Sequence, residues 1–131
     1  PSYTEEDLLG YLGDSCVTEV YGLGGMSSIA GPAYARFTGA TFAEAKERTE
    51  KARAVSLGEH TFALIPWDEY RGFPVGIDAR KVVGYNILPI SHGGSALKTG
   101  GQAGAGAAEL PLECFREALR GIRDEALRKQ Q

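Results

Sequence analysis

Cysteine is scarce in this chain: Cys16 and Cys114, far apart in 131 residues, are the two it has. Two cysteines build no disulfide framework, and both are expected to stay reduced in a cytoplasmic protein. Histidine is equally scarce, at His60 and His92, and these four residues form no metal-ligand spacing, so no metal is expected. No apolar run approaches the roughly 20 residues that cross a bilayer, which excludes a membrane-spanning helix from the reading. A basic block is missing from the first two thirds of the chain, and the net charge is -3. A nucleic-acid binder needs a cationic stripe to displace counterions, so that partner class is set aside. The first residues are acidic (Glu5, Glu6, Asp7), where a secretory leader would be basic and then apolar. No leader is expected, and Pro1 reads as the residue exposed by removal of an initiator methionine.

Glycine, by contrast, is abundant. Six of the 18 glycines fall between Ser91 and Gly106. Ordering glycine costs more backbone entropy than ordering any other residue, so this segment reads as a loop that brings bare main chain close to a ligand or another chain. A hydrophobic content of 43% with 24% charged residues suits a globular chain of one domain, 1–131.

Local signals predict the elements. Thr4 with Asp7 opens a short helix carrying Leu8, Leu9, Tyr11 and Leu12, stopped at Gly13. The alternation from Cys16 to Tyr21 predicts a strand, and Ala33 to Phe37 a second. Thr41 and Glu44 form a capping box for a helix from Phe42 to Leu57, with Gly58 as its stop. Thr61–Ile65 predicts a buried strand. Phe73–Ile77 and Val82–Leu88 read as a hairpin joined through Asp78–Lys81. The closing helix starts at Pro111, with Leu112, Phe115, Leu119, Ile122 and Ala126 as one apolar stripe. Its arginines (Arg116, Arg120, Arg123, Arg128) are interleaved with acids and read as a solvated face.

His92 is the first candidate for chemistry, because imidazole titrates near neutral pH and suits a general acid or base. Lys98 beside Thr99-Gly100-Gly101 could hold a carboxylate, although the glycine spacing fits neither a P-loop nor a dinucleotide fold. Trp67 and Tyr70 could wall a pocket in which Arg71 grips an anion with two parallel bonds. The N–H groups of Gly93, Gly94, Gly100 and Gly101, with Ser95, would stabilise developing negative charge. Asp78 and Arg80 read as turn residues, Cys114 as a buried small hydrophobe and His60 as a helix-end cap.

Four segments carry a family likeness. They are Lys51-Ala52-Arg53-Ala54-Val55-Ser56-Leu57-Gly58, Gly72-Phe73-Pro74-Val75 with Lys81-Val82-Val83-Gly84, Ser91-His92-Gly93-Gly94, and Gln102 to Glu109. Over Lys51 to Leu119 the chain resembles the GlcG/HbpS-like family. The likeness implies an α+β fold, a profilin-like α/β sandwich with helices packed on an antiparallel sheet. It also implies homo-oligomers and a small-molecule, haem or corrinoid ligand near the glycine-rich turn. It fixes no cofactor, and no haem ligand matches a position here. Three functional classes follow: a lyase or isomerase acting on an anionic carboxylate substrate through His92 and Lys98, a non-catalytic haem- or corrinoid-type module, and an assembly protein.

Overall fold

The Thr41 hydroxyl accepts the Glu44 N–H at 3.2 Å, while the Glu44 carboxylate accepts the Thr41 N–H at 2.7 Å. This reciprocal cap starts the central helix of the chain in a computed structural model that describes residues 3–9 and 16–130, with the side chains of 16 and 20 left out. The expected stop at Gly13, the residues Tyr11 and Leu12, the Cys16 side chain and Pro1 lie outside the described residues.

Among the described residues five helices and four strands follow in the order α1 (Cys16–Tyr21), α2 (Pro32–Phe37), α3 (Phe42–Val55), β1 (Ser56–Ile65), β2 (Arg71–Ile77), α4 (Ala79–Tyr85), β3 (Ile90–Ala96), β4 (Gln102–Glu109) and α5 (Leu112–Arg128). Short 3₁₀ turns cover Glu5–Asp7 and Gly25–Ala30. The class is α+β with antiparallel strand pairing, as expected. The strands form two separate two-stranded ribbons, β1–β2 and β3–β4, where one sheet was expected. α3 buries Ala45, Thr49, Ala52 and Val55 along one seam, and Met26, Ile29, Ile65 and Val82 complete the core. The residues of that seam are small, so the Gly25–Ala30 turn lies close against the helix.

Several local expectations give way to tertiary context. Cys16 to Tyr21 is helical, because Gly22 at φ +97° ends a turn in which the N–H groups of Gly22 and Leu23 both reach the Thr18 carbonyl. Ala33 to Phe37 is also helical. Pro32 stands in its first turn, where the fixed φ of proline favours a helix. Val82 to Tyr85 lies in α4, not in a strand: Asp78 caps that helix by accepting the Arg80 N–H at 2.9 Å, and Asn86 closes it at φ 53°. Asp78 and Arg80 therefore form a cap and an ion pair of 2.7 Å, not a hairpin turn. α3 stops at Val55, and Gly58 falls inside β1.

The segment expected to be a loop is the β3–β4 ribbon. His92 faces Ala107, Gly93 faces Gly106 and Gly94 faces Ala105 across it. Main-chain groups set aside for a ligand are thus committed to strand pairing, and glycine meets glycine where side chains would otherwise stand. Gly100 and Gly101, both at positive φ, make the turn that joins the strands. Pro111 is the cap of α5, which starts at Leu112, one residue after the expected start, and Cys114 is an exposed free thiol, not a buried one. No residue of α5 is fully buried. No helix among the described residues is long and apolar enough to cross a membrane.

Candidate functional site

The carboxylate of Glu19, on α1, organises the most distinctive cavity. It is buried at 8% exposure and accepts two backbone hydrogen bonds, from Gly25 at 2.7 Å and from His92 at 2.9 Å. A Cβ at Gly24 would overlap that carboxylate, so the residue must be glycine for the acid to sit there. The Ser27 hydroxyl donates to the Gly22 carbonyl, and the Ser28 hydroxyl donates to the Gly25 carbonyl at 2.6 Å. These bonds fold residues 22–31 into a rigid cradle. Trp67 Nε1 braces it from outside by donating to the Ile29 carbonyl at 2.6 Å.

The cradle encloses about 350 Å³ with Tyr34 and His92 in its wall. His92 is 7% exposed, and the Tyr34 ring meets its imidazole edge-on at a centroid distance of 5.1 Å. His92 Nε2 is buried and has no hydrogen-bond partner among the described residues. An orphaned buried polar atom is costly and is a usual sign of a missing ligand or water. Burial, and next the charge of Arg48, push the His92 pKa below the ordinary histidine value, so the ring is neutral at pH 7.

The other expected site residues lie elsewhere. Lys98 is exposed in the β3–β4 turn, where its Nζ donates to the Glu6 carbonyl at 2.6 Å. Five extended residues from His92 to Leu97 span about 16 Å, so Lys98 and His92 do not share a cavity. Arg71 is paired with Glu50 at 2.9 Å and with Glu59 at 2.5 Å on the surface, and it does not line the cradle. Trp67 and Tyr70 are exposed, and Tyr70 stands in the turn before β2 at φ 57°. Gly93 and Ser95 border a shallow groove along the ribbon with Ala105 and Gly106, away from the cradle. The Gly94 position is covered by the Gln102 side chain, which would overlap a Cβ there. His60 lies inside β1 between the rings of Tyr21 and Phe62, at 4.6 and 5.1 Å, and is not a helix cap. Of the expected residues, only His92 is in the cavity. Glu19, Ser27, Ser28, Tyr34 and the glycines at 24 and 25 were not anticipated, although the clustering of Gly22, Gly24, Gly25 and Gly31 was visible in the sequence.

No family model matches the chain. It is 37% identical over 123 residues to the oxamate carbamoyltransferase subunit AllG of Escherichia coli (strain K12), a match over 92% of this chain and 29% of AllG. It is 36% identical over 121 residues to the uncharacterized protein YahG of the same organism, over 91% of this chain and 26% of YahG. The chain thus spans less than a third of the length of the curated relatives it matches. The crystal structure of a conserved protein of unknown function from Enterococcus faecalis V583 superposes with a TM-score of 0.85 at 35% identity, over 93% of this chain and 30% of that one.

Proposed function

We propose that this chain forms the part of a carbamoyl-transfer protein that holds a small acid-amide, of the kind oxamate represents. The observation that carries the reading is the orphaned Nε2 of His92 in the wall of the glycine cradle. Likeness to a subunit named for oxamate carbamoyl transfer suggests what could meet it. Oxamate is small, planar and rich in hydrogen-bonding oxygens, and a cavity of about 350 Å³ accommodates a molecule of that size.

In this reading the acid–base role expected of His92 takes a narrower form. A neutral imidazole with its proton on Nε2 donates a hydrogen bond to a ligand oxygen, and Tyr34 restricts the ring's movement. The reaction served is group transfer in place of elimination or isomerisation: the amide nitrogen bonds to the carbamoyl carbon and gives up a proton, while the bond from that carbon to the leaving group of an activated carbamoyl donor breaks. The haem- or corrinoid-type module implied by the GlcG/HbpS-like resemblance is the competing reading, and self-assembly is a further one.

Calorimetric titration of the chain with oxamate separates them. Saturable heat that weakens about tenfold in His92→Ala, the value of one buried hydrogen bond, supports the proposal. No heat with oxamate at millimolar concentration, together with a Soret band on adding hemin that disappears in His92→Ala, overturns it in favour of the cofactor module.

A further inference from the structure

A serine hydroxyl has one proton and two lone pairs, so the place its proton takes decides what the oxygen can still do. In the glycine cradle both serine protons are committed. Ser27 Oγ donates to the Gly22 carbonyl, and Ser28 Oγ donates to the Gly25 carbonyl at 2.6 Å. A carbonyl oxygen has no proton to give, so the hydroxyl is the donor in each bond. What each serine oxygen can still do is accept.

Nothing in the protein makes use of that capacity. Both side chains are buried, at 4% and 3% exposure. Among the described residues no N–H or O–H group donates to either oxygen. Ser27, Ser28 and His92 line one cavity, the cradle of about 350 Å³. His92 Nε2 is the reverse case there, a buried nitrogen with no acceptor among the described residues. The cavity wall therefore holds two oxygens that need a donor and one nitrogen that needs an acceptor. The Glu19 carboxylate stands in the same wall, and its charge favours N–H groups and opposes a second carboxylate.

We propose that Ser27 and Ser28 read the nitrogen end of the ligand: their Oγ atoms accept the two N–H bonds of a primary amide, while His92 Nε2 donates to an oxygen of the same molecule. The inference rests on the acid-amide reading for the whole ligand, and it adds which end enters the cradle and what the cradle rejects. A carboxylate has no proton for oxygens that can only accept. It is left to the open side of the cavity, where Leu23 and Tyr34 are exposed. A main-chain carbonyl is too weak a base to take a serine proton, so these hydroxyls bind and orient the nitrogen and are not nucleophiles.

Oxamate and pyruvate are alike in shape and charge and differ in one group, an amide NH₂ against a methyl. Acetamide and acetone differ in the same way and have no carboxylate. Affinities for all four are read from saturable shifts of the backbone amide signals of residues 24–28 and 92 in NMR spectra of the 131-residue chain. Oxamate is expected to bind about thirtyfold more tightly than pyruvate, the worth of two hydrogen bonds. Ser28→Ala removes one acceptor, so the ratio is expected to fall to about fivefold while pyruvate binding is unchanged. Damage to the fold would weaken both ligands alike and leave the ratio where it was. Ser27→Ala should repeat the result, and it decides if Ser28→Ala does not fold. If neither variant folds, the ratio in the parent chain decides.

Equal affinity for oxamate and pyruvate, or a ratio that neither substitution moves, overturns the proposal and leaves the serine oxygens to ordered water. Oxamate that needs His92 but binds no more tightly than pyruvate sinks the serine assignment and leaves the acid-amide reading standing. Acetamide preferred over acetone in a serine-dependent way, with no binding of oxamate, supports the assignment and sinks that reading. Failure of all four compounds to bind sinks both.

Discussion

Glu19 and His92, 73 positions apart in the chain, are joined by a hydrogen bond of 2.9 Å from the His92 backbone N–H to Glu19 Oε1. The second carboxylate oxygen takes the Gly25 N–H at 2.7 Å, so one buried acid fastens β3 to the glycine cradle. Glu19→Ala removes the acceptor for both donors and leaves a void between α1 and β3. A buried donor without a partner costs about 1–3 kcal/mol. The expected loss is therefore about 2–4 kcal/mol in urea unfolding, with an unchanged slope. Glu19→Gln keeps one carbonyl acceptor and is expected to fall between the variant and the parent chain.

The depressed pKa of His92 makes stability depend on pH with a definite sign. Burial, and after it the charge of Arg48, hold the folded-state value below the ordinary 6.5. Below pH 6.5 the unfolded chain therefore takes up a proton that the folded chain refuses. Folding stability is at its full value above that pH and declines as the pH falls toward the folded-state pKa. Thermal melts at pH 7.5 and pH 5.5 should show a drop in midpoint for the parent chain. The drop should be smaller in His92→Gln, where nothing at this position titrates.

Which parts of this arrangement were legible in the sequence follows from how far apart the deciding residues are. The Thr41–Glu44 box was legible because donor and acceptor are three residues apart, and Thr61–Ile65 was legible as a strand because a β-rich apolar run needs little context, although it is not the buried strand expected: Phe62 and Leu64 are exposed and only Ile65 enters the core. The α+β class followed from elements of that kind. Cys16 to Tyr21 was misread as a strand because its alternation is real, whereas Gly22 and the long-range bonds of Glu19 decide its conformation. Val82 to Tyr85 was misread for a similar reason: the β-branched pair suggests a strand, and the Asp78 cap and the burial of Val82 override it. At the site, scarcity singled out His92. Nothing local to residues 22–31 shows that they close around it, since that cavity forms only when α1, the Gly25–Ala30 turn and β3 pack together. Arg71 drew attention as a guanidinium among aromatics, but Glu50 and Glu59, its actual partners, lie 21 and 12 residues away.

Arg53 and Asp68 form the most deeply buried ion pair among the described residues, 2.6 Å apart with each side chain 5% exposed. They fasten α3 to the turn between β1 and β2. Two charges so withdrawn from water hold together through mutual attraction and saturated hydrogen bonds, and removing one strands the other. Asp68→Ala is expected to cost about 3–5 kcal/mol. Glu50→Ala, which removes a partly exposed acid from the same cluster, is expected to cost about 1 kcal/mol or less. Equal losses in chemical unfolding would show that the cluster shares its energy evenly and that burial does not rank its members.

The apolar stripe of α5 divides into two halves with different expected sensitivities. Leu112, Phe115 and Leu119 are half-buried near the start of the helix, whereas Ile122 is 64% exposed and Ala126 is exposed with it. Helical periodicity alone treats these positions alike, because it reports which residues share a face and not what covers that face. Truncation distinguishes them. Phe115→Ala removes a partly covered ring and should cost about 1.5–2 kcal/mol, near half of what a fully buried phenylalanine contributes. Ile122→Ala exchanges one solvated side chain for another with a better helix propensity, so its unfolding midpoint should match the parent chain to within about 0.5 kcal/mol. Unfolding curves collected at two protein concentrations a hundredfold apart complete the measurement. A cost of 1 kcal/mol or more for Ile122→Ala that grows with concentration would mean that the far half of α5 is covered by a second copy in solution, as the expected homo-oligomer requires.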